Sequence, residues 1–600
     1  MLSSRYARLR AFATVAGLAL GLSASAALAG DTTIGLSAAP GSARVGQAVT
    51  LTATVDGSAP TGAVTFRDGG KKLGTAALDA AAGAIAAGNY HTCTLTGEGA
   101  VLCWGWNAYG QLGDGSTTGS DVPVAVSGLD GSATKIAAIA AGSDHTCAVT
   151  GDAAVLCWGW NFSGQLGNAD ATHTDSYVPV AVSGLDGSAT KIAAVSAGSS
   201  HTCAATDAGA VLCWGWNFSG QLGDGSTTDS DVPVAVSGLD GSATKIVTIA
   251  AGAGYTCAVT DQGAVLCWGY NLNGELGNGS TTDSDVPVVV SGLDGSTTKI
   301  VTIAAGDYHT CAVTDRGAVL CWGGNPNGEL GDGNESTGST VPVAVSGLDG
   351  SATKIATIAA GAFHTCAATD AGAALCWGDN RFGQLGDGST TDSNVPVAVS
   401  GLDGTDDTVV SLAAGRLHTC ALTHAGAGLC WGDNSDGQLG NGDLGADATT
   451  PVAVEGLTPV TSAKAAFEIA GLTAGTHTLR AAYAGDDFNA ASTSAALSLK
   501  ILPGKSKIKT VKITPKKPKA GKVARAKVTL KAVSPAKGNP EGKIVVKDGK
   551  KKLGAFKVKN GKAGFKLGKL SKGKHALKLT FKGDRNWGNS AAKKTVVVRK

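Results

Sequence analysis

YTCAVTDQGAVLCWGYNLNGELG, residues 255–277, sets nine residues between Cys257 and Cys267, with apolar β-formers on both arms around Asp261-Gln262-Gly263. The segment reads as a β-hairpin, because a type I turn closing on a bulge needs a left-handed third residue, which glycine supplies without steric cost. Variants of the phrase occur seven times, with first cysteines 54, 56, 54, 54, 55 and 54 residues apart, the signature of a repeat architecture. The third loop position is Gly99, Gly209, Gly263, Gly317, Gly372 and Gly426, with Ala153 the exception.

The cysteines pair by spacing as Cys93 with Cys103, Cys147 with Cys157, Cys203 with Cys213, Cys257 with Cys267, Cys311 with Cys321, Cys366 with Cys376 and Cys420 with Cys430, and none is left over. The hairpin register brings each first cysteine opposite its second, at about 4.5 to 5.5 Å, which suits a cross-strand disulfide. A structural zinc site needs four ligands and a pair supplies two, so no metal is expected at these pairs. The compartment fits: Arg5, Arg8 and Arg10 precede an apolar stretch from Ala11 to Leu22 and then Ala27-Leu28-Ala29, which reads as a signal peptide spanning residues 1–29. Neither that stretch nor any later one is long enough to span a bilayer as a helix. A secreted or extracellular protein, in one version held at the cell envelope, is therefore expected.

Each copy carries four strand signals: one like KIVTIAAG (residues 245–252), the two hairpin arms, and one like VPVAV (residues 232–236). Four-stranded units repeated radially describe a β-propeller, here of seven blades. AAGxxHTCA, CWGxNxxGQLGDG and VPVAV together resemble the regulator of chromosome condensation repeat, in the cysteine-bearing form of bacterial secreted proteins, over about residues 84–457. The resemblance implies a seven-bladed propeller.

The flanks hold a second duplication. RDGGKKLG at 67–74 matches KDGKKKLG at 547–554, whereas AGLTAGTHTLRAAYAGD at 470–486 matches GKLSKGKHALKLTFKGD at 568–584. The offsets, 480 and 98, differ by 382 residues, the size of the propeller, so the first copy is read as split by it. The split point falls at Lys559-Asn560-Gly561-Lys562 of the intact copy, an Asn-Gly hairpin turn of the exposed kind that tolerates insertion. Both copies resemble bacterial immunoglobulin-like sandwiches. The expected fold is all-β, with a first sandwich at 30–79 and 464–501, a propeller at 80–463 and a lysine-rich sandwich at 502–600.

Strand alternation places the AAGxxH and CWGxN loops on one face. His91, His145, His201, His309, His364 and His418 recur at one position per blade, as do Asn107, Asn161, Asn217, Asn271, Asn325, Asn380 and Asn434, so a structural role is expected for both columns. Asp114, Asp224, Asp332 and Asp387 lack the EF-hand spacing and read as turn caps. The residues that vary are the candidate binding face: Trp106, Trp160, Trp216 and Tyr270 after CWG; Phe162, Phe218 and Arg381 after the asparagine; Tyr109 and Phe382 one further on; and Tyr90, Tyr308, Phe363 and Arg416 in the AAGxxH loops. Trp, Tyr and Arg carry most binding energy at protein interfaces. Packing between blades is the alternative.

Residues 502–600 hold 28 Lys and 3 Arg against 3 acidic residues, whereas residues 1–501 carry a net −26. So one-sided a field attracts polyanions such as anionic envelope polymers or extracellular DNA, while lysine without stacking aromatics gives no sequence-specific nucleic-acid reading. Solubility, or attraction to the acidic propeller, is the alternative. No nucleophile elbow, phosphate loop or HExxH occurs, and no cofactor is expected. The expected function is a non-enzymatic binding or adhesion protein presenting the propeller face to a protein or glycan. Guanine-nucleotide exchange, which the family resemblance implies but secretion disfavours, secreted enzyme inhibition, and a structural spacer are the alternatives.

Overall fold

The computed structural model describes residues 32–600 except 58–59, 61, 79–82, 335–337, 406–407, 458–461, 487–488, 535 and 537. The signal-peptide expectation lies outside the described residues.

Seven antiparallel four-stranded sheets follow one another along the chain, each built from consecutive strands. The fourth consists of Ile246–Ala251, Tyr255–Thr260, Val265–Gly269 and Ser284–Val289. Its hairpin register sets Cys257 directly opposite Cys267, with the sulfurs bonded and the two Cα atoms 4.1 Å apart, a little closer than the hairpin reading expects. The same register and the same 4.1 Å separation recur in the first three blades, where Cys93 is bonded to Cys103, Cys147 to Cys157 and Cys203 to Cys213. They recur again in the last three, where Cys311 is bonded to Cys321, Cys366 to Cys376 and Cys420 to Cys430. Every disulfide therefore lies within one blade and none joins two. The left-handed loop position is filled as its glycines demand, with φ of 84° at Gly263; Ala153 adopts 68° without that freedom.

Blade joins blade through buried side chains. The tryptophan of each CWG is fully buried and its indole N–H donates to a carbonyl of the preceding blade, as from Trp268 to Gln221 at 2.9 Å. Glycines receive these rings: a Cβ on Gly223 would lie 2.6 Å from the Trp268 Nε1. A threonine in the second strand donates to the same carbonyl, Thr256 to Gln221 at 3.0 Å, and meets the histidine of the preceding blade, His201 Nε2, at 2.9 Å. The last blade closes on the first with the same parts, His418 meeting Thr92 and Trp104 donating to the Gln438 carbonyl, so side chains and not an exchanged strand complete the ring.

The strands on either side of the propeller pair with each other. Val49–Asp56 lies between Thr33–Ala39 and Ser462–Ile469, with Val49 opposite Ile469 and Leu51 opposite Phe467. The facing sheet runs in the order Ser42–Arg44, Leu497–Leu502, Gly475–Tyr483, Ala63–Asp68, Lys71–Ala77, and Leu51, Val55, Phe66, Leu479 and Tyr483 fill the space between the two. The C-terminal sandwich repeats this plan: Ser506–Thr514, Val523–Ala532 and Lys562–Lys569 face Lys551–Val558, Gly542–Asp548, Gly573–Gly583 and Ser590–Val598.

One expectation needs correction. Asn560 and Gly561 do take the paired positive φ of the Asn-Gly turn, 50° and 67°, but its arms do not make a hairpin. Beyond the single bridge Lys559–Lys562, Lys551–Val558 joins one sheet and Lys562–Lys569 the other. The turn therefore crosses between sheets, and an insertion there interrupts no ladder.

Candidate functional site

Two loops per blade meet on one face of the propeller. In every blade the amide following CWG donates to the carbonyl preceding the histidine position, as from Trp106 to Tyr90, Trp216 to Ser200 and Asp379 to Phe363, each at 2.9 Å. The seven asparagines hold the longer loop from below: Asn217 accepts the Leu222 amide at 2.9 Å and donates to the Thr228 carbonyl at 3.0 Å. Asp224 caps the turn at the Ser226 amide. No cluster suited to a metal ion occurs among the described residues.

The histidines are likewise committed to the scaffold. Each threonine gives its one hydroxyl proton to a carbonyl, so the histidine Nε2 it faces must be the donor and Nδ1 carries only a lone pair. Burial pushes these imidazoles far down, His91, His201, His309 and His418 to about 3 and His145 and His364 to about 4. In the fourth blade Tyr255 takes the place, its hydroxyl donating to the His309 carbonyl at 2.6 Å.

Above this belt lie the variable residues. Phe162 and Phe218 are 71% and 74% exposed, and Trp106, Tyr109, Tyr308 and Arg381 are exposed as well. Trp160, Trp216, Tyr270, Tyr90, Phe363, Phe382 and Arg416 are half-buried. Rings touch along the first blades: Tyr109 lies 5.8 Å from Trp160, which stacks at 6.0 Å on Phe162, and Trp216 stacks at 6.3 Å on Phe218. Across the face Tyr308 meets Phe363 at 5.8 Å, and Arg416 lies 5.6 Å over the Tyr90 ring and donates to its hydroxyl. Arg381 is tied to Asp379 of its own loop at 2.7 Å. Burial pushes the Asp379 carboxyl up, but the hydrogen bonds and charge of Arg381 outweigh it, leaving the net value low. Beside the aromatic arc, burial raises the Asp144 carboxyl to about 6.

Two members of the arc escaped the sequence reading. Leu272, 64% exposed, occupies the column of Phe162 and Phe218, where a search for rings passes over it. Tyr177, 45% exposed, lies against Gly110, where a Cβ would come within 2.4 Å of its ring. Its signal was present: the other six blades place Asp, Thr or Asn there.

The seven blades and their loop face define a seven-bladed repeat propeller. The RCC1-like domain family matches residues 175–492, the regulator of chromosome condensation repeat matches 98–149 and 136–165, and the group 3 bacterial Ig-like domain matches 36–101 and 511–599. The chain belongs to the RCC1-like family and carries bacterial Ig-like domains beside its propeller. It is similar to the ultraviolet-B receptor UVR8 of Arabidopsis thaliana, 36% identical over 374 residues that cover 62% of this chain and 81% of that one. The E3 ubiquitin-protein ligase HERC2 of Homo sapiens is 33% identical over 342 residues, 56% of this chain but only 7% of that ligase. Among solved structures, yeast RCC1 (Prp20) bound to Kap60 superposes with a TM-score of 0.53 at 21% identity, covering 61% of this chain and 88% of that one. Human WBSCR16 gives 0.52 at 24% identity, covering 61% and 99%. These two likenesses show the fold alone.

Proposed function

We propose that the protein is a secreted or cell-surface, non-enzymatic binding protein whose propeller presents its aromatic loop face to a protein or glycan, while the lysine-rich sandwich holds it to anionic envelope polymers. The propeller, as an insertion between residues 79 and 464, is the recognition module in this reading, and residues 502–600 are the attachment module. The observation that carries it is the arc of exposed and half-buried rings on the first four blades, set on loop positions that vary above a scaffold that repeats. Aromatic anchors of this kind concentrate binding energy. Disulfides within every blade suit an oxidising compartment. A structural neighbour, Prp20p of Saccharomyces cerevisiae, is described with binding properties to Gsp1p and histones, which supports a protein partner for such a fold.

The test replaces Trp106, Trp160 and Trp216 with alanine in the full chain and measures retention on envelope fragments, in salt high enough to suppress the charge-only attachment of the lysine-rich sandwich, beside thermal unfolding. Loss of each ring at a hot spot costs about 2 kcal/mol, so the triple change should weaken binding by roughly a thousandfold or more. Retention unchanged by the triple substitution would refute the face as the site.

A further inference from the structure

We propose that the outer face of one sheet in the C-terminal sandwich is a binding site for a linear polyphosphate-type anion, such as a phosphodiester chain, read through its charge alone. The inference rests on, and narrows, the reading of this sandwich as an attachment module. Strand register sets Lys552 opposite Lys547, Lys547 opposite Lys578 and Lys578 opposite Lys593, an unbroken row of four across the sheet. Four residues along the two central strands, and five along the bulged edge strand, Lys543, Lys582 and Lys557 form a second row. All seven are exposed, and among the described residues none is paired with a carboxylate. With strands about 4.8 Å apart and about 3.3 Å per residue, the first row spans roughly 14 Å and the second lies roughly 13 Å from it.

Between the rows run Ala555, Val545, Thr580 and Ala591, which put no acid and no ring on the face. Without rings or guanidinium forks the surface offers only point charges, so charge density and not base identity is what it can recognise. Of the three acidic residues of this region, Asp548 is held by His575 at 2.5 Å, opposite buried Leu577, while Glu541 and Asp584 lie just past the strand ends, two residues beyond Lys543 and Lys582, so none stands within or between the rows.

The first sandwich shows that the fold does not require the second row. Its equivalent of the first row keeps Lys72, Arg67 and Arg480 in register. At the positions matching Lys543 and Lys582 it has Ala63 and Ala484, and at the end of the first row Ala495 stands in the place of Lys593. Like charges set opposite each other across strands are destabilising. Lysines that the fold can replace by alanine, and that repel one another, are accounted for by an anion laid along them.

The test compares two full-length variants with equal charge removed. One carries Lys543→Ala, Lys557→Ala and Lys582→Ala. The other carries Lys512→Ala, Lys527→Ala and Lys566→Ala, exposed lysines of the opposite sheet. Binding of inorganic polyphosphate and of an unstructured single-stranded DNA is measured against salt. The first variant should lose about tenfold in affinity and about two units of the salt slope for both probes, and the second less than about threefold. Equal losses in the two variants overturn the face but leave the attachment reading standing, whereas a wild type that ignores polyphosphate at low salt overturns both. Binding of DNA without polyphosphate would show that something other than phosphate charge is read.

Discussion

Two tryptophan columns stand two residues apart in the CWGW loops of the first three blades, and they behave oppositely. Trp104, Trp158 and Trp214 are fully buried, recur in all seven blades and donate across the blade interface. Trp106, Trp160 and Trp216 are exposed or half-buried, and later blades replace them with Tyr270, Gly324, Asp379 and Asp433. Within one chain the repeat thus performs its own substitution experiment. Positions that the blade interface uses change only where the replacement still reaches the neighbouring blade, as Tyr255 does, while positions above it change freely.

The buried belt should be the more sensitive region to acid. Its six histidines have folded values of about 3 to 4, well below the unfolded imidazole, so the unfolded chain takes up protons first as the pH falls through about 6.5. The stability they provide is complete above that value and is lost progressively down to the folded values. Each site can cost up to about 1.4 kcal/mol per pH unit in that window. Asp144, raised by burial to about 6, acts in the opposite sense. Urea unfolding at pH 7 and pH 5 should show a loss of several kcal/mol, and a midpoint that does not move would end the account of the belt. A Trp106, Trp160 and Trp216 triple variant should follow the wild-type pH curve, because those residues sit above the belt.

Single substitutions sharpen the contrast. Trp268→Ala removes a fully buried ring and its bond to Gln221, and should cost about 3 to 5 kcal/mol. Trp216→Ala, in the neighbouring column, should cost under about 1.5 kcal/mol, because solvent already reaches the ring. Chemical denaturation of the two variants decides the matter. Equal costs would mean that the variable column is blade packing and that the face has been misread.

The same logic explains how much was legible in the sequence. The repeat spacing, the loop glycines and the paired offsets of the flanks disclosed the blades and the split sandwich because each is a comparison between copies. The variable rings could be placed on one face because strand direction alternates within a blade. Leu272 was passed over because a search for aromatic residues ignores an exposed aliphatic in the same column. Arg381 reads in the sequence as a candidate contact, whereas in the structure Asp379 two residues earlier holds its guanidinium. The Asn560-Gly561 turn reads as a hairpin because its dihedrals are local, while the sheet each arm joins is decided by other partners, Gly542–Asp548 for the first arm and the more distant Val523–Ala532 for the second.

The smallest expected effect lies at the one fixed column that is not uniform. Ala153 holds φ at 68°, where six blades have glycine, and a Cβ in that region meets the following carbonyl at a cost of about 1 to 2 kcal/mol. Glycine would remove the strain but lose more backbone freedom on folding, which returns about 0.5 to 1 kcal/mol. Ala153→Gly should therefore stabilise the protein by about 0.5 to 1 kcal/mol. The reverse change, Gly209→Ala, should destabilise by more than that gain, because its new Cβ would also lie 2.8 Å from the Lys245 Cα. Denaturation midpoints of the pair form the measurement. If Ala153→Gly gains nothing, the second blade has relaxed around its alanine, and even the fixed columns of this propeller adapt copy by copy.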